Sequence, residues 1–368
     1  MSNPDSHSAP HRRLNPLTGE YVLVSPHRNQ RPWQGQVDAP PPGETRAYVE
    51  DCYLCAGNAR SGGARNPGYR DTFVFDNDFP ALLDTAPSQA QASSHPLLKQ
   101  EPVCGTCRVI CYSPEHHRSL AELPVESIAR VIDTWAAQSA ELGRDYRYVQ
   151  LFENKGAVMG CSSPHPHGQV WAMDALPSEV VREEEQQRNY LKHEGRSLLM
   201  EYAHLESASG TRTVVENFLW IAVVPHWAAW PFETLVLPKF PLTRLENASA
   251  EERRQLADLL KRLLVRYDNL FQTRFPYTMG WHGAPYPNEG NETGERQTDL
   301  GEVNNEDQRH WQFHGHFYPP LLRSHSVRKF MVGFEMLAEA QRDLTPELAA
   351  QMLRDCSEQH FAAANHGV

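Results

Sequence analysis

The spacing of apolar and polar residues predicts four amphipathic helices. In the first and third of them, apolar side chains recur at intervals of three and four, which places them on one helix face. Ser249 and Glu252 form a capping box at the start of the third helix. Ser178 is the predicted cap of the second, and Thr345 followed by proline starts the fourth. The predicted helices cover residues 126–142, 178–195, 249–271 and 345–360.

Short apolar or alternating segments between these helices predict β-strands. The segments do not show the regular βαβ alternation of a parallel sheet, so the pattern favours an α+β fold with a largely antiparallel sheet and packed helices. Strands are predicted at residues 21–25, 71–78, 108–113, 147–154, 168–172, 218–224, 233–238 and 313–319.

One order of elements occurs twice along the chain. A strand, a helix, a second strand and a strand with a His-x-His pair follow one another in each half, roughly 150 residues apart, which indicates two copies of one unit sharing a sheet. We expect one unit over residues 1–195 and the other over residues 196–368. The polar segment 287–308 interrupts the second copy and is predicted to be a surface insertion.

Composition narrows the classes of function. The 368-residue chain carries a net charge of −11, which argues against binding the phosphate backbone of nucleic acid. The sequence contains no apolar run of membrane-spanning length, and its first residues lack the apolar core of a signal peptide. Seven cysteines, an odd number, indicate reduced thiols. We therefore expect a cytoplasmic protein that binds neither nucleic acid nor a membrane.

The pair Cys52 and Cys55, in "DCYLCAGN", is typical of half a zinc site, because two thiolates at this spacing can share one tetrahedral ion. Spacing alone does not identify the other two ligands. The candidates are Cys104, Cys107, His116, His117 and His165.

The segment "SPHPHGQ" contains the second candidate site. In an extended strand His165 and His167 project to the same side, and Pro166 indicates a strand end. Gly168 would let a ligand approach the backbone, and Gln169 offers amide donors. This set suits phosphoryl transfer with a neutral imidazole as the nucleophile. From spacing alone, both histidines could equally be metal ligands.

A second His-x-His pair predicts a second metal site. His314 and His316 share one face of a strand, and His282 lies upstream. Three imidazoles with a carboxylate such as Glu183 would bind a divalent ion. The alternative is that these are histidines whose hydrogen bonds are satisfied in the core.

Four polar residues in the first quarter of the chain complete the candidate chemistry. Arg28 and Arg31 lie in a proline-flanked loop and could bind a diphosphate. Asn77 and Asp78 follow a strand and could bind ribose hydroxyls or a base edge.

Seven segments together resemble the galactose-1-phosphate uridylyltransferase family of the bacterial type. The similarity runs from about residue 12 to residue 356. The segments are "SPHRNQRPWQG", "DCYLCAGN", "FVFDNDFPAL", "RVICYSPEH", "FENKGAVMGCSSPHPHGQVWA", "WPFETLVLPK" and "FHGHFYPPLLRSHSVRKFMVGFE". The resemblance implies a duplicated histidine-triad fold, an open half-barrel, and transfer of UMP from UDP-glucose to galactose 1-phosphate by double displacement.

The resemblance also implies residue roles. His167 would be the nucleophile that becomes uridylylated, and Gln169 would bind the phosphoryl oxygens. Ser162 and Asn154 would contact substrate phosphates. The implied nucleotide-sugar contacts are Arg28, Arg31, Asn77 and Asp78. The implied sugar and phosphate contacts, partly from the other subunit of a homodimer, are Lys329, Val332, Phe334, Glu335 and Gln341.

For the metals, the resemblance implies structural ions. Zinc would be held by Cys52, Cys55, His116 and His165. A second ion, iron or zinc, would be held by Glu183, His282, His314 and His316. Phe334 stands where tyrosine is expected, which would remove one hydroxyl near the sugar. Rival interpretations are an adenylyl-transferring phosphorylase, a metal-dependent hydrolase and a zinc-stabilised binding module.

Overall fold

The computed structural model describes residues 9–30, 45–85, 95, 97–161, 163–287, 308–324, 327–329 and 331–364. Arg31, Ser162 and nearly all of the predicted insertion 287–308 lie outside the described residues. For Lys329 only the backbone is described. None of the helices in these ranges is long and apolar enough to cross a membrane.

Nine strands form one antiparallel sheet in the order β3-β4-β6-β5-β10-β11-β9-β8-β7, which is not closed into a barrel. A smaller sheet has the order β1-β2-β14, and β12 pairs with β13. The strands are β1 His11–Leu14, β2 Tyr21–Val24, β3 Phe73–Asp76, β4 Gly105–Cys111, β5 Tyr148–Lys155, β6 His167–Met173, β7 Thr213–Glu216, β8 Trp220–Val223, β9 Thr234–Pro238, β10 Tyr277–His282, β11 His314–Tyr318, β12 Leu321–Ser324, β13 Val327–Lys329 and β14 Ala340–Arg342. The predicted α+β class with a largely antiparallel sheet is confirmed.

Seven helices accompany the strands in the described residues. They are α1 Val125–Leu142, α2 Ser178–Glu194, α3 Leu198–Ser209, α4 Ala250–Phe271, α5 Phe334–Leu337, α6 Pro346–Arg354 and α7 Phe361–Ala364. The predictions for α1 and α4 are confirmed, including the capping box of Ser249 and Glu252. The prediction that Ser178 caps α2 is wrong, because Pro177 occupies the N-cap position and no side chain caps it.

Two further helix predictions need correction. The fourth predicted helix ends at Arg354, because the Asn269 amide donates to the carbonyls of Ser357 and Gln359 and holds that segment in an irregular path. Helix α3 was not predicted. Its buried face includes the charged Glu206, which interrupts the apolar pattern and pairs with Arg212.

The two predicted copies meet at the centre of the sheet, where β5 pairs with β10. The first copy is β4, α1, β5 and β6, and the second is β9, α4, β10 and β11. In each copy the His-x-His strand lies between the other two strands. Helices α1 and α4 pack together over one face of the sheet and form the main core with it. The duplicated unit is therefore confirmed, while the boundary between residues 195 and 196 stays a prediction.

Candidate active site and metal centres

The first polar cluster contains two cysteines and two histidines, all buried: Cys52, Cys55, His116 and His165. Their ligand atoms lie within 4.8 Å of one another. Cys55 Sγ is 3.4 Å from His165 Nδ1 and 3.5 Å from His116 Nδ1. Tetrahedral zinc with its usual bond lengths separates sulfur and nitrogen ligands by roughly 3.5 Å. The geometry therefore fits a tetrahedral metal ion.

Hydrogen bonds orient the ligands of this cluster. The Asn58 amide donates to the carbonyl of Cys52 at 2.8 Å. His165 Nε2–H donates to the Ser113 carbonyl at 2.8 Å, and because a carbonyl only accepts, the lone pair is on Nδ1, which faces the cysteines. Burial lowers the pKa of His165 to about 4. The ring is therefore neutral, which is the form that binds a metal.

The other candidate ligands stay outside this cluster. Within the described part of the chain, neither Cys104 nor Cys107 belongs to a group of side chains that could hold a metal, and neither does His117. Cys107 is buried in β4, where it pairs with Trp171 of β6. The four-cysteine alternative is therefore wrong.

The backbone of His165 also orients His167. His167 Nδ1 is 2.7 Å from the carbonyl oxygen of His165. Since this oxygen can only accept, Nδ1 carries the proton and the lone pair is on Nε2. Burial lowers the pKa of His167, which favours the neutral ring. Sequence reasoning could not name this acceptor, because it is a main-chain group.

His167 lines a cleft over the paired strands β5 and β6, with the segment at Gly160 and Cys161 as one wall. The lining residues are Phe152, Asn154, Gly160, Cys161, His167, Gly168 and Gln169. Asn154 and Gln169 thus lie in the same cleft as His167, and their contacts with substrate phosphates stay a prediction. None of the described lining residues carries a carboxylate, so the cleft presents an imidazole and two amides without a competing negative charge. Such a surface suits a phosphoryl group.

Packing inside the protein, as well as ligand access to the backbone, explains why residue 168 is glycine. Its backbone lines the cleft, as expected. Side chains alternate along a strand, so a side chain at 168 would point away from those of His167 and Gln169. A Cβ atom there would collide with the Tyr112 hydroxyl and lie 3.0 Å from the carbonyl of Phe152. The close approach that requires glycine comes from the protein's own tyrosine.

The second polar cluster lies between α2 and the strands β10 and β11. Glu183 Oε2 is 2.8 Å from His282 Nδ1 and 3.5 Å from His314 Nε2, and Glu183 Oε1 is 3.6 Å from His316 Nε2. His314 Nδ1–H donates to the Gln312 carbonyl at 2.8 Å, which leaves the lone pair on Nε2. Within the described residues, the Nε2 atoms of His314 and His316 are buried without a hydrogen-bond partner. A metal ion would satisfy both.

The charges of this cluster also favour a cation. Burial would raise the pKa of Glu183, but His282 and His314 outweigh it and hold the pKa well below its usual value. Burial lowers the pKa of His316 to about 4. Glu183 in turn outweighs burial and raises the pKa of His282, so a divalent ion would bind there in place of the His282 proton. One carboxylate with three imidazoles is a suitable donor set for such an ion. The alternative of three histidines with satisfied hydrogen bonds is wrong for His314 and His316, because neither Nε2 atom has a hydrogen-bond partner among the described residues.

The predicted contacts Asn77 and Asp78 do not line the His167 cleft. They follow β3, which β4 separates from β6. Asn77 Oδ1 accepts a hydrogen bond from the Phe79 amide at 2.9 Å. Asp78 lies 3.7 Å from Arg60, which stacks on the ring of Phe75.

The remaining predicted contacts form a separate group near the sheet β1-β2-β14. Arg28 Nε is 3.4 Å from Asp343, and the Gln341 amide donates to the same carboxylate at 2.6 Å. Glu335 pairs with Arg342. Nearby Val332 and Phe334 are 59% and 56% exposed. Within the described part of one chain, none of the residues in this group lines the His167 cleft.

Two residues that sequence reasoning missed contact the cleft amides. Trp171 Nε1–H donates to Gln169 Oε1 at 2.9 Å, and Thr278 Oγ1 lies 2.8 Å from Asn154 Oδ1. Trp171 is two residues after Gln169 on β6, so their shared face was available as a signal. Thr278 belongs to the other copy, and only the pairing of β5 with β10 brings it to Asn154.

Comparison with protein families gives consistent matches over nearly the whole chain. Residues 1–177 match the family described as galactose-1-phosphate uridyl transferase, N-terminal domain, and residues 183–365 match its C-terminal domain. A galactose-1-phosphate uridylyltransferase from Haemophilus influenzae is 52% identical over 352 residues, covering 96% of each chain. One from Rattus norvegicus is 50% identical, covering 95% of this chain and 89% of its own.

Solved structures share the fold. One described as a uridylyltransferase superposes with a TM-score of 0.68 at 27% identity, covering 93% of this chain and 97% of its own. An ADP-glucose phosphorylase from Arabidopsis thaliana, with ADP-glucose bound, has a TM-score of 0.71 at 20% identity, covering 95% of this chain and 100% of its own. The second similarity concerns the fold alone.

Proposed function

Since the chain belongs to the galactose-1-phosphate uridylyltransferase family, we propose that it is an enzyme that moves UMP from UDP-glucose to galactose 1-phosphate. The products are UDP-galactose and glucose 1-phosphate. The observation that carries the proposal is the bond from His167 Nδ1–H to the His165 carbonyl, which leaves the Nε2 lone pair available at the cleft. The free state of all seven cysteines supports a reducing compartment such as the cytoplasm.

In the first half-reaction, His167 Nε2 attacks the α-phosphorus of UDP-glucose. A P–N bond forms, the P–O bond to the β-phosphate breaks, and its electron pair leaves with glucose 1-phosphate. The ring becomes positively charged, and its Nδ1–H remains bonded to the His165 carbonyl. Gln169 and Asn154 line the cleft, and their amide donors would stabilise the negative phosphoryl oxygens.

In the second half-reaction, a phosphate oxygen of galactose 1-phosphate attacks the same phosphorus. The P–N bond breaks and its electron pair returns to Nε2, so UDP-galactose leaves and His167 is regenerated. Two displacements avoid bringing two anionic substrates together at one time. The absence of a carboxylate among the described lining residues keeps the cleft open to both anions.

Zinc is the metal that the donor set Cys52, Cys55, His116 and His165 suits best, because two thiolates and two imidazoles are its usual tetrahedral ligands. The second cluster, with one carboxylate and three imidazoles, suits iron or zinc. Neither cluster lines the cleft. We therefore assign both metals a structural role, in which the first holds the segment that carries His167.

We also propose a homodimer in which the group near the sheet β1-β2-β14 serves the partner's cleft. Arg28, Glu335 and Gln341 lie together there with exposed Val332 and Phe334. A second copy would cover the apolar surface and receive the charged residues. Sugar and phosphate contacts from this group would then complete each site.

The proposal is tested by incubating the protein with UDP-glucose and galactose 1-phosphate and following all nucleotides and sugar phosphates by ³¹P NMR. We expect UDP-galactose and glucose 1-phosphate in equal amounts. Parallel samples contain ADP-glucose with inorganic phosphate, or UDP-glucose alone. Rapid phosphorolysis of ADP-glucose, or steady release of UMP without an acceptor, would contradict the proposal and support an adenylyl-transferring phosphorylase or a metal-dependent hydrolase.

A further inference from the structure

We propose that Trp171 and Thr278 are positioning residues that turn the amides of Gln169 and Asn154 so that both NH2 groups face the cleft. The two amides would then form a pair of donors for the non-bridging oxygens of a phosphoryl group. This inference rests on the proposed function, because it deepens the role of the same cleft. Its starting point is that both lining amides have their oxygen engaged by a neighbouring side chain.

The orientation of Gln169 follows from the chemistry of indole. Trp171 Nε1–H can only donate, so the atom it meets at 2.9 Å must be the amide oxygen. The NH2 group is then the end of the amide that remains for a ligand. Without this bond the amide could present its oxygen, which would repel a phosphoryl oxygen.

The indole is itself held in place by packing. The rings of Trp171 and Phe152 meet edge to face, with centroids 5.5 Å apart and planes at 80°. Phe152 is the residue opposite Gln169 on β5. Phe152 thus holds the indole ring of Trp171 in place, and Trp171 in turn orients the amide of Gln169.

Asn154 is oriented from the other copy. Thr278 of β10 is directly opposite Asn154 of β5, and its hydroxyl lies 2.8 Å from the amide oxygen. In this arrangement the hydroxyl donates to the amide oxygen, which leaves the Asn154 NH2 group for the cleft. No described residue accepts a hydrogen bond from the NH2 group of Asn154 or of Gln169. Two independent elements thus give the two amides the same polarity.

The test is the single-turnover rate of uridylylation by UDP-glucose, followed by intact-protein mass. Trp171→Phe keeps an aromatic ring against Phe152 but removes the N–H donor. We expect a rate about tenfold lower, with the UDP-glucose concentration for half-saturation changed less than about twofold, because a donor is lost from the transition state. Thr278→Val should also slow the reaction, while Thr278→Ser, which keeps the hydroxyl, should react at the wild-type rate.

A double-mutant cycle separates positioning from packing. In a Gln169→Ala background the amide is gone, so adding Trp171→Phe should cause no further loss. A full additional loss in that background, or an unchanged rate for Trp171→Phe alone, would overturn the inference. If the wild-type protein forms no adduct, the proposed function fails instead. If the wild type forms the adduct and the Trp171 and Thr278 variants form it at the same rate, the positioning role alone fails.

Discussion

The His-x-His pairs at β6 and β11 occupy matching places in the sheet, yet their second histidines face different surroundings. In the first pair, His165 joins the cysteine cluster and His167 faces a cleft. In the second pair, His314 and His316 both face Glu183 and are buried.

The difference arises from the elements beside each strand. Helix α2 places Glu183 over β11, so both imidazoles have a carboxylate to share. Beside β6, the chain around Gly160 and Cys161 forms one wall of an open cleft, and the carbonyl of His165 fixes the tautomer of His167. The same His-x-His motif therefore leaves one imidazole at an open cleft in the first copy and places both imidazoles in a cluster that could hold a metal ion in the second.

The largest expected effect is from replacing the proposed nucleophile, His167. His167→Asn should lower the rate of uridylyl transfer by at least about 10⁴-fold, because no other described lining residue can form the P–N bond. The metal content, measured by plasma mass spectrometry, should equal that of the wild type, since His167 belongs to neither cluster. A variant that keeps its activity would rule out the assignment of His167.

The next prediction concerns the cluster that supports β6. Cys52→Ser removes one thiolate, so we expect loss of one metal equivalent and a fall in Tm of roughly 5–10 °C. Calorimetry and metal analysis measure both. Cys104→Ser is the matched control, because Cys104 lies outside the cluster, and it should change neither quantity. Equal metal content in Cys52→Ser and wild type would point to another ligand set.

The third prediction tests whether the second cluster takes part in the reaction. Glu183→Gln should lose the metal of the second cluster but form the uridylyl adduct at a rate within about tenfold of the wild type, because Glu183 does not line the cleft. Metal analysis and the adduct rate are measured on the same preparation. A loss as large as that of His167→Asn would mean that the second centre takes part in the reaction.

The smallest expected effect is at the junction of the two copies. Glu153 of β5 is opposite Met279 of β10, and burial raises its pKa to about 7. The folded protein therefore holds a proton on Glu153 that the unfolded chain releases near pH 4.5, so stability falls as the pH rises towards and through 7. Glu153→Gln does not titrate.

Urea unfolding at pH 6 and pH 8 measures this difference. Relative to the wild type, Glu153→Gln should gain about 1 kcal/mol of unfolding free energy between the two pH values. A parallel pH dependence of the two proteins would show that Glu153 is ionised in the fold at both.

The sequence was sufficient where local pattern decides structure. The apolar stripe of α1, the capping box of α4 and the duplicated order of elements are local signals, and the structure agrees with them. The resemblance supplied two residue sets that the structure brings together as clusters.

Other features depend on contacts between distant segments or on the main chain. The hydrogen-bond acceptor for His167 is a main-chain carbonyl group. The Tyr112 hydroxyl occupies the space that a side chain at position 168 would need. Thr278 reaches Asn154 only because β5 pairs with β10. Helix α3 was missed because its buried Glu206 finds a partner in Arg212, which a periodicity argument does not include.

The central claim is that His167 carries the uridylyl group between the two half-reactions. Its most direct test is the intact mass of the protein after incubation with UDP-glucose alone, before and after mild acid. The account predicts a gain equal to one UMP, lost in acid, stable in base and absent from His167→Asn. Consumption of UDP-glucose without any adduct would contradict it.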